Sequence, residues 1–312
     1  MKRLDRLHIS KKIAMQTTDC VVMIAPTEFA TNPEASEDNY FADSNAAFEK
    51  SAVVKEAAAL RDALVDAGVK VIEIDPTTLP QPPNAPDGSF PNNWLMFVDG
   101  KPILCPMRAV SRRRERAMWP SIAMRLKVDP SDVIDLTGWE REGHFLEGTG
   151  SLVLDRENLT AFAAISERTS LVAAERVADL LGYRLVAFDA RDPQGRPIYH
   201  TNVLMSIGTR FALFCPEVIS PQALPQVRNL LMDSREIIEV SWSQVLQYCG
   251  NVLELSGGVV AMSETAFEAF EEKHLQAFKR CGVEPVYADI STIERVAGGS
   301  VRCMLAEVFL SR

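Results

Sequence analysis

The chain has 312 residues, 47% hydrophobic and 24% charged, with a formal net charge of −9. That composition belongs to a globular protein large enough to bury a sizeable core, and the negative balance argues against a nucleic-acid partner. The amino-terminal MKRLDRLHISKK is charged but lacks the apolar centre of a secretory leader, and no apolar run reaches membrane length, so the expectation is a cytoplasmic protein with no membrane partner.

In chain order, CVVMIAP at 20–26 reads as a buried strand closed by Pro26, and TNPEASEDNYF as a polar loop. Residues 43–67 carry alanine and leucine at helical spacing, with Gly68 as the stop signal. VKVIEID at 69–75 is a strand, and a proline-rich excursion at 76–91 follows, of the kind that often lies over a site. WLMFVDGKPILCPM is a hairpin about an Asp-Gly turn, a helix is expected over 112–126, and VIDLTG and SLVLD are short strands. AFAAIS, SLVAAERVADLLG and YRLVAFDA read as strand, helix and strand, and HTNVLMSIGTRFALFCPEVI as a second hairpin. PQALPQVRNLLMDS and REIIEVS give a helix and a strand, and VLELSGGVVAMSE a third hairpin. TAFEAFEEKHLQAFKRCG is one helix, VEPVYADI a strand, and VRCMLAEVFL closes the chain.

A unit of hairpin, helix and strand therefore recurs four or five times without evident sequence identity between copies. Mixed pairing in such units suggests radial repetition about a centre, which hides sheet edges. A doubly wound sheet is the alternative, although the glycine-rich turn it expects after the first strand is missing. The six cysteines, at 20, 105, 215, 249, 281 and 303, form no CxxC pair. Zinc and dithiol motifs thus lack support, and reduced thiols are expected.

Four stretches are too polar for their apolar settings: FPNNW at 90–94, FLEGTG around Glu147, YHTNV with His200 and Asn202, and the terminal GGSVRC with Cys303. Each is expected at a strand edge, and strands radiating from one centre would bring these ends together. A thiol, an imidazole and a carboxylate make a nucleophilic set: the thiolate attacks, the imidazole moves the proton, and the carboxylate holds the imidazole. The small residues ahead of Cys303 would let a ligand approach the backbone. The competing reading of Cys303 is a buried structural thiol at the start of the last strand. His8, His144 and His274 lack the flanking pattern of His200 and read as surface or satisfied histidines. The basic cluster SRRRER at 111–116 reads, by itself, as a solvated helix start.

Taken in order, LEGTGS, SERTS, YHTNV and GGSVRCM resemble the guanidine-modifying superfamily of arginine deiminase, dimethylarginine hydrolase and the amidinotransferases. MIAPTEF, FPNNW and SRRRER resemble more closely its branch of citrulline-using hydrolases, the CtlX-like citrullinases. The resemblance runs from about residue 20 to the end of the chain. It implies a five-bladed pseudo-symmetric α/β propeller, the pentein fold, with residues 1–312 as a single domain. It further implies Cys303 as nucleophile, His200 as general acid and base, and Glu147 supporting the histidine and contacting substrate nitrogens. Arg168, with Arg112 or Arg113, would hold a substrate carboxylate, and no metal or organic cofactor would be needed. Arginine-processing relatives carry an aspartate where Asn93 aligns, and many carry a second where Asn202 stands. Acids suit a cationic guanidinium; amides offer donor and acceptor to a neutral ureido group. The expectation is hydrolysis of citrulline to ornithine, ammonia and carbon dioxide through a covalent cysteine intermediate. The alternatives are an arginine deiminase or a dimethylarginine-type guanidine hydrolase. The sequence leaves open monomer or homo-oligomer, and whether the loop at 76–91 moves.

Overall fold

The structure is a computed structural model that describes residues 15–43 and 45–310. The charged stretch 1–12 and His8 lie outside the described residues. β1 (Cys20–Ile24) is five consecutive buried residues, and it pairs in parallel with β2 (Lys70–Ile74). β3 (Leu95–Val98) turns through Asp99 and Gly100, both at positive φ, onto β4 (Lys101–Leu104), which pairs in parallel with β5 (Ile134–Asp135). The same antiparallel-then-parallel order recurs in β6 (Val153–Asp155), β7 (Thr160–Ala164) and β8 (Arg184–Phe188). It recurs again in β9 (Met205–Ile207), β10 (Phe211–Phe214) and β11 (Glu236–Glu239). A further copy is β12 (Leu253–Leu255), β13 (Val259–Ser263) and β14 (Glu284–Ala288). Finally β15 (Ala306–Glu307) returns to lie antiparallel on β1, with Val21 opposite Glu307 and Val22 opposite Ala306.

The result is five separate three-stranded sheets of one pattern, which fits five-fold pseudo-symmetry and rules out one doubly wound sheet. Burial explains why the strands differ in sequence. The antiparallel first strands β3, β6, β9, β12 and β15 are buried throughout, and the middle strands nearly so, hence their unbroken apolar runs. The outer strands β2, β8, β11 and β14 are half exposed and more polar. The first strands lie beside one another: β15 against β3, β6 against β9, and β9 against β12.

Helical segments join the second and third strands of every sheet, in the stretches where the periodicity predicts a helix, though not always with the predicted bounds. In Lys50–Asp66 the buried positions Val53, Ala57, Leu60 and Leu64 form one stripe on the core around Val21 and Met23. Val53, Leu60 and Leu64, fully buried, each contribute about 1.5–3 kcal/mol of apolar transfer, and the Ala57 methyl less. Three expectations need correction. The first helix begins at Lys50, because Asp43 instead caps a turn that receives the Asn45 N–H at 3.0 Å. Residues 110–118 wind as a 3₁₀-helix before the α-helix Trp119–Leu126. The stretch 264–280 is two helices, Glu264–Ala269 and Glu272–Arg280, separated by a capping box in which Glu271 and His274 exchange bonds.

All six cysteines are buried and free of disulfides. No described helix is long and apolar enough to cross a membrane, and no described group of three or more His, Cys, Asp or Glu is placed to hold a metal ion.

Candidate active site

Every sheet leads into its first strand through a short turn, and these turns pack on one another. Pro91–Asn93 precedes β3, Gly148–Ser151 precedes β6, Thr201–Val203 precedes β9, and Val301–Met304 precedes β15. The polar residues expected at strand edges therefore sit one step earlier: Asn93, Asn202 and Cys303 within single helical turns, Glu147 and His200 just ahead of them. Cys303 belongs to such a turn and not to the last strand. Close packing requires glycine at two places. A Cβ on Gly150 would come within 2.6 Å of Asn93 Nδ2 and 2.9 Å of His200 Nδ1. A Cβ on Gly299 would meet the Phe90 ring at 2.7 Å. The small residues before Cys303 thus serve chain packing as well as access.

Glu147 and His200, 53 residues apart in sequence, meet with His200 Nε2 2.9 Å from Glu147 Oε2. Glu147 is fully buried. Its other oxygen accepts the Arg108 N–H at 3.1 Å, and Arg168 lies 3.6 Å away. Burial would raise this carboxyl, but Arg168, the His200 bond and Arg112 outweigh it and hold it down at about 2. An ionised carboxylate only accepts, so the Nε2 of His200 carries the proton and Nδ1 keeps its lone pair. Burial lowers the His200 pKa; Glu147 opposes this, while Arg168 and Arg112 add to it, so the ring is held neutral. Glu147 is thus spent on its neighbours and supports the imidazole.

His200 and Cys303 share the lining of a hollow of about 310 Å³, with Asn93, Arg112, Arg168, Asp87 and Tyr199 also on its wall. Of the two candidate arginines in SRRRER, Arg112 faces this hollow. Arg113 turns away to the backbone oxygens of Met107 and Arg108, at 3.0 and 3.2 Å. The 3₁₀ winding explains the choice: three residues per turn put Arg112 and Glu115 on one face, where they bond bidentately at 2.8 and 2.9 Å. The remaining Nη1 of Arg112 donates to Asn93 Oδ1 at 2.8 Å. Arg168 lies over the Tyr199 ring, 4.8 Å from its centroid, and is clamped by the Asp38 carboxylate. Neither arginine presents an unpaired fork.

The amides are the groups left short of partners. Asn93 Nδ2, Asn202 Oδ1 and Asn251 Oδ1 are buried without a hydrogen bond. An arginine only donates, so Arg112 fixes the oxygen of Asn93 on itself and leaves an N–H group unspent. Asn202 Nδ2 and Asn251 Nδ2 donate to Cys303 Sγ at 3.5 and 3.4 Å.

Several residues at this site escaped the sequence reading. Asp38 and Asn39 come from the polar loop TNPEASEDNYF. Asp87 and Phe90 come from the proline-rich excursion, and burial raises the Asp87 carboxyl against the pull of Arg112 and Asn32. Asn251 lies two residues ahead of β12, and its signal was present: Asn-Val-Leu at 251–253 repeats the Asn-Val-Leu of 202–204. Of the competing histidines, His274 is bonded to the Glu271 N–H and the Glu239 carbonyl, and His144 lies beside Ser170 at 3.4 Å. A thiol, a neutral imidazole backed by a carboxylate, and unspent amide groups are equipped for covalent transfer at an sp² carbon bonded to nitrogen.

A family model described as N,N dimethylarginine dimethylhydrolase, eukaryotic, matches residues 25–310. The chain belongs to this dimethylarginine hydrolase family. Membership places it in the guanidine-modifying pentein superfamily. Among curated proteins, nothing matches it in sequence. Among solved structures it resembles apo ArgZ, an arginine dihydrolase from the ornithine-ammonia cycle in cyanobacteria, with TM-score 0.75 and 15% identity over 94% of this chain and 41% of that one. AgrE in ternary complex with ornithine and NAD+ gives TM-score 0.72 and 15% identity over 94% and 39%. A dimethylarginine dimethylaminohydrolase adduct with 4-chloro-2-hydroxymethylpyridine gives TM-score 0.66 and 14% identity over 94% and 100%. At these identities the likeness is one of fold. The chain spans about two fifths of the ArgZ and AgrE chains, and the dimethylarginine dimethylaminohydrolase over its whole length.

Proposed function

We propose that this protein is a cysteine-dependent hydrolase of C–N bonds whose substrate is citrulline, with the five sheets as blades of one propeller domain. The observation that carries this reading is the orientation of Asn93. Arg112 holds its oxygen, so an N–H donor is what Asn93 offers to a bound substrate. A ureido oxygen accepts that bond. A guanidinium has only donors and would leave the Asn93 amide unpaired, at about 1–3 kcal/mol. The acceptors Asn202 Oδ1 and Asn251 Oδ1 complement ureido N–H groups.

In the proposed mechanism the Cys303 thiol passes its proton to His200, whose cationic form Glu147 stabilises. The sulfur attacks the ureido carbon, and Asn93 donates to the oxygen as it gains charge. The C–N bond breaks as His200 returns the proton to the leaving nitrogen, giving a thiocarbamate-type intermediate on Cys303. His200 then takes a proton from water, the resulting hydroxide attacks the same carbon, and the C–S bond breaks. The departing sulfur takes the proton back from His200, and the carbamate so formed loses carbon dioxide as its remaining C–N bond breaks, so that citrulline plus water gives ornithine, ammonia and carbon dioxide. At the amino-acid end, the α-ammonium faces Asp87 and the α-carboxylate takes Arg168, displacing Asp38. Arg112 acts by aiming Asn93.

A second reading, a dimethylarginine-type hydrolase, is favoured by one feature. An apolar wall formed by Phe41, Val203, Val245 and Tyr248 adjoins Cys303, where an N-alkyl substituent would find apolar contacts. Incubation with citrulline, arginine, agmatine and dimethylarginine separates the readings. Ornithine and ammonia from citrulline, with no turnover of the guanidines, is the expected result; citrulline appearing as a product would overturn it.

A further inference from the structure

We propose that Asn251 is a catalytic residue, one of two carboxamides that bear the negative charge of the Cys303 sulfur. Asn251 comes from the sheet of β12, is 4% exposed, and reaches Cys303 from a residue 52 positions earlier in the chain. Its orientation is fixed independently of the sulfur. Nδ2 donates one hydrogen to the backbone carbonyl of Asn202 at 3.1 Å, which an amide oxygen could not do. The second hydrogen is thereby directed to Cys303 Sγ at 3.4 Å, and Asn202 Nδ2 adds a donor at 3.5 Å.

The surroundings give these two amides the task. A thiolate needs compensation by cations or donors. The charged and titratable groups facing it across the polar hollow are His200, Arg112, Arg168 and Asp87; Tyr199 and Tyr248 face it from the apolar side. His200 is held neutral. Arg112 is committed to Glu115 and Asn93, and Arg168 to Asp38 and Glu147. Arg302, the preceding residue, is bonded to Glu307 at 2.6 Å and to the Leu305 carbonyl. Among the described residues, every nearby arginine is already paired. A cationic substrate would bring its own compensation to the thiolate; a neutral ureido substrate does not, so the protein must. This last step rests on the citrulline reading, while the geometry around the sulfur does not.

The test uses no substrate. Cys303 alkylation by iodoacetamide, a neutral reagent that reports thiolate, is followed from pH 6 to 10 by peptide mass mapping in the full chain and in Asn251→Ala and Asn251→Asp. Asn251→Ala should react roughly tenfold more slowly near pH 7, with its midpoint moved to higher pH. Asn251→Asp, which keeps the volume but replaces the donor by a negative charge, should move the midpoint further. Identical profiles in all three proteins would overturn the proposal. So would equal shifts in both variants, or failure of both to fold, since either makes the side chain structural. A native protein that ignores citrulline while the alkylation series behaves as expected would remove the substrate reading and leave Asn251 standing.

Discussion

His200 has a carboxylate at 2.9 Å and yet keeps a neutral ring, because burial and two arginines outweigh Glu147. The consequence for stability has a definite sign. A base whose folded pKa lies below 6.5 binds its proton more readily when unfolded, so its contribution is intact above pH 6.5 and is lost as pH falls through the depressed value. Glu147 adds a second loss lower down, between its ordinary range near 4.5 and about 2. Thermal melts at pH 8, 6.5 and 5 should therefore show a falling midpoint, and His200→Gln should flatten the part below 6.5; an unchanged difference between the two proteins would place the titration elsewhere. In turnover, kcat should fall on the acid side as the ring is protonated. On the proposed citrulline reading, Asn93 carries the selectivity. Asn93→Asp removes the donor left over by Arg112, and the loss of one such donor typically costs 10²–10³ in rate. Citrulline turnover should drop by about that factor while arginine gains a foothold; a substitution that leaves the ratio of the two kcat/KM values unmoved would break the argument from the amides.

The single turns ahead of the first strands set these side chains, and they are what sequence reasoning reads least well. The hairpins were legible because paired apolar runs, joined in the first case by Asp-Gly at 99–100, carry a local geometric signal. The turn Gly148–Ser151 has no period to detect, and Gly150 is legible only as a glycine until Asn93 and His200 are seen pressing on it. Gly150→Ala should push both apart, and a displacement near 1 Å can cost on the order of 10² in rate. Steady-state kinetics should show that loss in kcat with the protein still folded; full activity would mean that the turn yields and does not position. Similar reasons explain the other gaps. Arg112 and Arg113 could not be ranked, because α and 3₁₀ windings point them differently. Asp38 lay in a stretch whose polar composition reads as solvated loop. Asn251 was passed over, although its Asn-Val-Leu echo of 202–204 marked a matching place in another sheet. Cys303, His200 and Glu147 were legible through ordered motifs, while their meeting depended on contacts across more than fifty residues.

At the scale of the whole molecule, four sheets are contiguous in sequence and one is assembled from the two ends of the chain. β15 lies antiparallel to β1, the Val308 N–H meets the Cys20 carbonyl at 2.9 Å, and Thr18 Oγ1 donates to the Val308 carbonyl at 2.6 Å. The turn that carries Cys303 hangs from this joint, so the thiol is placed by β15 gripping β1. The geometry is that of the other four hairpins with its connecting loop cut. A permuted chain should restore it: residue 310 joined to residue 16 through about three turn residues, a common hairpin length, with new ends between Gln81 and Pro82 in the proline-rich stretch between two sheets. Gln81 and its neighbours are exposed, and the break separates whole sheets without dividing one. The permuted protein should fold with a melting midpoint near the native one, since a tethered hairpin replaces a long-range closure. It should retain turnover to within a few fold. A folded permutant in which Cys303 no longer reacts would mean that the free ends, and not the β1–β15 pairing, set the position of the thiol.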